Sequence, residues 1–128
     1  MDKRHDIVWL EQPEEHDYPA AESYLSLVMA PRRAATFARA LRRARVERFK
    51  AKDIFRAARL PLLGADNHHV KRNGEKIRSG RSLSPILLVR GESGRLVIAD
   101  GYHRLCAVYL HDEDAEIPCK IVGGQRCN

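Results

Sequence analysis

Ile86-Leu87-Leu88-Val89-Arg90-Gly91-Glu92-Ser93-Gly94-Arg95-Leu96-Val97-Ile98-Ala99-Asp100-Gly101 is the stretch whose reading decides the fold. Two short apolar runs flank Gly91-Glu92-Ser93-Gly94, a cluster of turn residues, so Ile86–Val89 and Leu96–Ala99 read as the two strands of a hairpin. Asp100-Gly101 breaks the second strand, and the chain enters a helix from about Tyr102 to Leu110. Upstream, Leu60 to Asn67 is a loop rich in turn residues. Val70 to Ser79 follows as a helix, with Gly80 where a C-terminal cap belongs. Downstream, the acidic loop Asp112-Glu113-Asp114 leads into a strand over Ile117–Val122. The order helix–strand–strand–helix–strand implies an α+β fold, a small mixed sheet packed with helices.

The N-terminal half is written differently. Asp6 to Leu10 is a short apolar burst, a strand or a tucked arm. Tyr18-Pro19 suits a helix entry, and Ala21, Tyr24, Leu25 and Val28 recur at helical spacing before Pro31 stops the run. Arg32 to Phe49, rich in alanine and arginine, reads as a second helix. Asp53 caps a third over Ile54–Arg59. Phe37, Phe49 and Phe55 are expected in the core. The 128 residues therefore form one domain: a helical N-terminal layer over 1–59, a core over 60–122 and a tail over 123–128.

With 44 % hydrophobic and 31 % charged residues the composition is that of an ordinary soluble domain. No apolar run approaches the roughly 20 residues of a membrane span, and the N-terminus lacks a signal peptide's apolar stretch, so no membrane partner is expected. Three cysteines, none in a CxxC pair, argue against a disulfide framework and for a cytoplasmic location. The +6 net charge is uneven: −5 over residues 1–31, +9 over 32–59 and +2 over 60–128. The basic segment Arg32–Arg59 suits a nucleic acid, or equally the chain's own acidic N-terminus.

Chemistry concentrates at Ala99-Asp100-Gly101-Tyr102-His103-Arg104-Leu105-Cys106-Ala107. A strand ends, a glycine turns, and a helix begins whose first-turn N–H groups are unpaired at the positive end of its dipole. His103 and Arg104 add an imidazole and a guanidinium beside those donors, a combination that favours an anion such as phosphate. Asp100 can cap the helix, orient Arg104 or act as a base. His68, His69, His103, Cys106 and His111 are metal-ligand types, but no tetrahedral set stands at customary spacing, so no metal site is expected among them.

Asp-Gly-Tyr-His-Arg followed by Leu-Cys-Ala resembles the nucleotide-binding signature of the ParB/sulfiredoxin superfamily. Sulfiredoxins read Gly-Gly-Cys-His-Arg there, and the archaeal free-serine kinase reads Asp-Gly-His-His-Arg. The resemblance covers Pro61 to Val122, including the helix, the Ser84-Pro85-Ile86 loop and strand ahead of the motif, and the strand after its helix. It implies a nucleoside di- or triphosphate, ATP or another, with Mg²⁺. Gly101, His103 and Arg104 then fall on the phosphate contacts and Asp100 on the kinase aspartate. The preceding helix, which supplies further phosphate ligands in that superfamily, here offers His69, Arg72 and Lys76 on one face.

The departures narrow the expectation. Tyr102 occupies the position of the sulfiredoxin nucleophilic cysteine, and a phenol is a poor substitute for a thiolate, so sulfiredoxin activity is not expected. Partition proteins carry a downstream helix-turn-helix, whereas this sequence runs to Asn128, so a full centromere-binding clamp is not expected. The kinase's general base is a glutamate, and the spacing selects neither Glu75 nor Glu92. The first expectation is a nucleotide-binding domain whose chemistry, if any, is phosphoryl transfer or nucleotide hydrolysis with Asp100 as the catalytic carboxylate. The second is a nucleic-acid-binding or regulatory module acting through the basic helices, with the turn structural. A third is an interaction domain that kept the fold and lost the ligand. A homo-oligomer stays open in each.

Overall fold

A computed structural model describes residues 6–124. The elements run α1 (Asp17–Val28), α2 (Pro31–Arg43), β1 (Glu47–Lys50), α3 (Ala51–Ala58), α4 (His68–Arg78), β2 (Ile86–Arg90), β3 (Leu96–Asp100), α5 (Tyr102–His111) and β4 (Glu116–Gly123). The strands form one mixed sheet in the order β1-β4-β2-β3. The central pair β2 and β4 is parallel, and each edge strand is antiparallel to its neighbour. The α+β class and the small mixed sheet packed with helices are therefore as expected.

Helices cover both faces of the sheet, which explains why Ile86–Val89 is apolar without alternation. Leu87, Val89 and Ala99 pack against Tyr18, Ala21 and Leu25 of α1 and Ala34 and Leu41 of α2. Ile86, Leu88, Ile98, Ile117 and Cys119 pack on the other face against α3, α4 and α5. Phe49 and Phe55 adjoin this second core and Phe37 the first, each half-buried. Cys106 is fully buried on α5. Lys120 is buried on the α1–α2 side, where its ammonium donates to the Tyr18 hydroxyl at 2.9 Å and to the Arg42 carbonyl at 3.0 Å. Two hydrogen bonds and the Tyr18 ring compensate the buried charge and tie α1 and α2 to β4.

Four readings of the N-terminal half are corrected. The expected helix over Arg32–Phe49 ends at Arg43, and Glu47–Lys50 is an edge strand on β4. Three of its four residues are charged, which suits an edge left open to solvent. The third helix starts at Ala51, so Asp53 lies in its first turn while Lys50 takes the cap position. Its acid still favours the positive helix end. On α1 the buried stripe is Asp17, Tyr18, Ala21 and Leu25, and Tyr24 and Val28 are exposed. As expected, the first run stops before Pro31, at Val28, and Pro31 also opens α2, where its missing N–H loses nothing. The helical layer is thus α1 and α2 alone, because β1 joins the sheet and α3 packs on its opposite face.

The segment 6–10 is a tucked arm: Trp9 makes an isolated parallel bridge to Leu83. β4 extends through Gly123, opposite Arg90, so the expected tail is shorter than 123–128, and Gln125 to Asn128, with Cys127, lies outside the described residues. No helix among the described residues is long and apolar enough to cross a membrane.

Candidate anion-binding site

The site is built where β3 ends and α5 begins. β2 and β3 slip register between Leu87 and Leu88, so Leu88 faces Ile98 while Leu87 faces Asp100. Ala99 is the extra residue of a β-bulge, and a bulge re-aims the side chains that follow it. Strict alternation would place Asp100 on the face of Ile98. Opposite Leu87, it stands instead on the α1 face of the sheet.

There Asp100 meets a residue the sequence reading did not single out. Asp17, the first residue of α1, is buried at the far side of the same small polar chamber. Arg104 bridges the two, its Nη2 2.9 Å from Asp100 Oδ2 and 3.8 Å from Asp17 Oδ2. Ser84 completes the arrangement: its hydroxyl donates to Asp17 Oδ2 and accepts the Glu14 N–H at 3.0 Å. Burial raises the Asp100 carboxyl above its usual pKa; Arg104 opposes that rise and the Asp17 charge adds to it. The guanidinium is thus the ion that lets two close carboxylates be buried together. Its Nε is buried without a hydrogen-bond partner, so one donor remains unspent.

Gly101 makes the bridge sterically feasible. It takes φ +113°, and a Cβ there would sit 2.8 Å from Ile86 Cβ and 2.9 Å from Arg104 Nη2. Tyr102 is a strap: its hydroxyl donates to the Pro61 carbonyl, holding the α5 entry to the loop before α4.

The other side of the turn carries imidazoles. His69 of α4 and His103 of α5 have ring centroids 4.8 Å apart, with Tyr102 beyond His103 and His68 beyond His69. Arg72 reaches His68, Nη2 to Nε2 at 3.3 Å. Burial, then the neighbouring His69, lowers the His103 pKa, so its ring is mostly neutral at pH 7. The two helix starts differ. Asn67 caps α4 by accepting the N–H groups of His69 and Val70, whereas α5 has no side-chain cap.

Of the expected residues, Asp100, Gly101 and Arg104 are brought together directly, and His69 joins His103. Arg72 reaches this group through His68. Lys76 is half-buried further along α4, and no hydrogen bond or ion pair joins it to the turn among the described residues. Glu92 lies at the other end of β3, in an ion pair with Arg33, and is not placed to serve as a base here. A free acid one residue inside a helix start, as Asp17 is, is an ordinary helix signal, so nothing local marked it as a partner of Asp100. Glu14, His16 and Asp17 bring possible ligand atoms within 4.8 Å of one another, but two of them are exposed and the third already serves Ser84 and Arg104.

No family model matches the chain, and neither the characterised proteins nor the solved structures contain a match to it.

Proposed function

We propose that the 101–104 turn binds the phosphates of a nucleoside di- or triphosphate. The observation that carries this reading is the meeting of the His103 and His69 rings beside a helix start that has no side-chain cap. The likeness of Asp100-Gly101-Tyr102-His103-Arg104 to the ParB/sulfiredoxin signature supports the same assignment. The donors suit phosphate oxygens. They do not suit Mg²⁺ held by protein ligands, because both carboxylates already share Arg104 and a cation would have to sit against that guanidinium. Any turnover rests on positioning of the phosphates by His69, His103 and the α5 amides. Asp100 is the carboxylate on the turn itself, oriented by Arg104.

The test is thermal denaturation with ATP, ADP, CTP and GTP, each with and without Mg²⁺. A nucleotide at 100 times its Kd adds about 2.7 kcal/mol, a rise of several degrees for a domain of this size. The His103→Ala variant is expected to lose about tenfold or more in affinity, the loss of one charge-assisted contact. In the wild type, binding should move the His103 pKa upward, because an anion favours imidazolium. No shift with any nucleotide would overturn the assignment.

A second reading rests on α2. Arg33 pairs with Glu92 and Arg42 with Glu15. Arg32, Arg39 and Arg43, spaced seven and four residues apart along one exposed edge, have no acidic partner among the described residues. The acidic N-terminus therefore neutralises only part of the basic segment. Such a row suits the phosphates of a nucleic-acid backbone. Duplex binding should then weaken linearly in log–log with salt, and removing all three arginines should flatten that slope by about 3. An unchanged slope in the triple variant would exclude this surface.

A further inference from the structure

A second concave site lies at the other end of β3, beside the hairpin turn, in a cleft of about 520 Å³ between α3 and the sheet. That volume falls within the roughly 300–1,000 Å³ of small-molecule sites. Its walls are apolar: Phe49, Leu88, Leu96 and Ile121 from the strands, Ile54 and Ala57 from α3.

The rim is cationic. Arg90 and Arg95 flank the hairpin turn and line the cleft, with Asp53 the one acid among the lining residues. Both guanidiniums are held in place without being used up. Arg90 donates to the Gly123 carbonyl at 3.3 Å. Arg95 donates to the Ala58 and Arg59 carbonyls at 2.9 and 3.3 Å, at the C-terminal end of α3 where a cation is favoured. Each guanidinium has five N–H donors, so donors remain at the rim. Neither arginine has an acidic partner among the described residues.

An apolar chamber with two anchored cations at its mouth selects an apolar body bearing one negative head. A nucleotide fits poorly, since its ribose hydroxyls would be desolvated against Phe49 and Leu96 without partners. We infer that this cleft binds a small apolar monocarboxylate, with its carboxylate on Arg90 and Arg95 and its body against Phe49, Leu96 and Ile121. The site is independent of the phosphate turn and stands whether or not the nucleotide reading holds.

Decanoate, decanol and decyltrimethylammonium share a chain and differ in head group. Each is titrated at submillimolar concentration into the full chain and followed by amide chemical shifts. Decanoate is expected to perturb α3, the hairpin and the end of β4. Decanol should bind about tenfold more weakly, for loss of one charge-assisted contact, and the cation more weakly still. Ala57 is exposed and lines the cleft, so Ala57→Trp should fill it, reduce decanoate affinity about tenfold and leave nucleotide responses unchanged. Equal affinities for the three heads, shifts centred on the exposed α1 residues Tyr24, Leu27 and Val28, or undiminished binding by Ala57→Trp would each overturn the inference. The head-group comparison needs only the wild type, so it decides the matter even where the variant fails to fold.

Discussion

Replacing Gly101 with alanine is expected to destabilise the domain by about 4 kcal/mol. Two terms add. At φ +113° an L-residue is strained by about 1–3 kcal/mol. The new Cβ also collides with Ile86, fully buried in the core, and with the Arg104 guanidinium. Relieving an overpacked contact of this kind costs about another 1–3 kcal/mol. Gly94 provides the control. It has φ +84°, and a methyl group added there would meet nothing within 4 Å, so Gly94→Ala should show the strain alone. Denaturant titration of both variants separates the terms. Equal losses would show that the contact with Ile86 and Arg104 carries no weight.

Arg104→Met is expected to destabilise the protein by about 3 kcal/mol at pH 7, the low end of the range for a broken buried ion pair because Asp100 is partly exposed. The pH dependence identifies the cause. Burial holds the folded Asp100 pKa above its unfolded value, and Arg104 is the strongest influence pulling it back down. Without the guanidinium the folded pKa rises further. A carboxyl whose folded pKa exceeds its unfolded pKa binds its proton more tightly when folded. Its penalty is therefore full at pH above the folded pKa, shrinks as pH falls through it, and is gone below the unfolded value near 3.8. The gap between Arg104→Met and wild type should thus narrow from pH 7 towards pH 4. A gap that stays constant would mean that Arg104 acts by packing its stem rather than by its charge.

These two residues also show how far the site was legible beforehand. Asp100, Gly101, His103 and Arg104 fall within five consecutive residues, and each advertises its chemistry in the strand–glycine–helix junction. What could not be read was where Arg104 points. A guanidinium beside a helix start suggests an outward grip on phosphate, yet here it turns back over Gly101 to two carboxylates. The arginine is first a positioning residue for the chamber, and the imidazoles of His69 and His103 form the outward face. Nothing in the sequence around the turn points to Asp17.

The misread stretch Arg32–Phe49 has a comparable origin. Alanine and arginine favour a helix through Arg43, and neither glycine nor proline marks its end. The strand that follows has one apolar residue in four, and it exists because β4 offers an unpaired edge. Pairing with a segment some seventy residues away overrides a weak local preference.

Local grammar, by itself, determined the hairpin over Ile86–Asp100, the helix on either side of it, the glycine turn and the α+β class, because each depends on periodicity or turn chemistry within a few residues. Tertiary structure alone decided the β1 edge, the apolar cleft beside Arg90 and Arg95, and the meeting of Asp17 with Asp100 and Arg104. That meeting needs the bulge at Ala99 to set Asp100 on the α1 face, and Ser84 to hold Asp17 across a separation of 67 residues. Contacts of that range follow from how two apolar sheet faces are covered, and no short window of sequence contains that information.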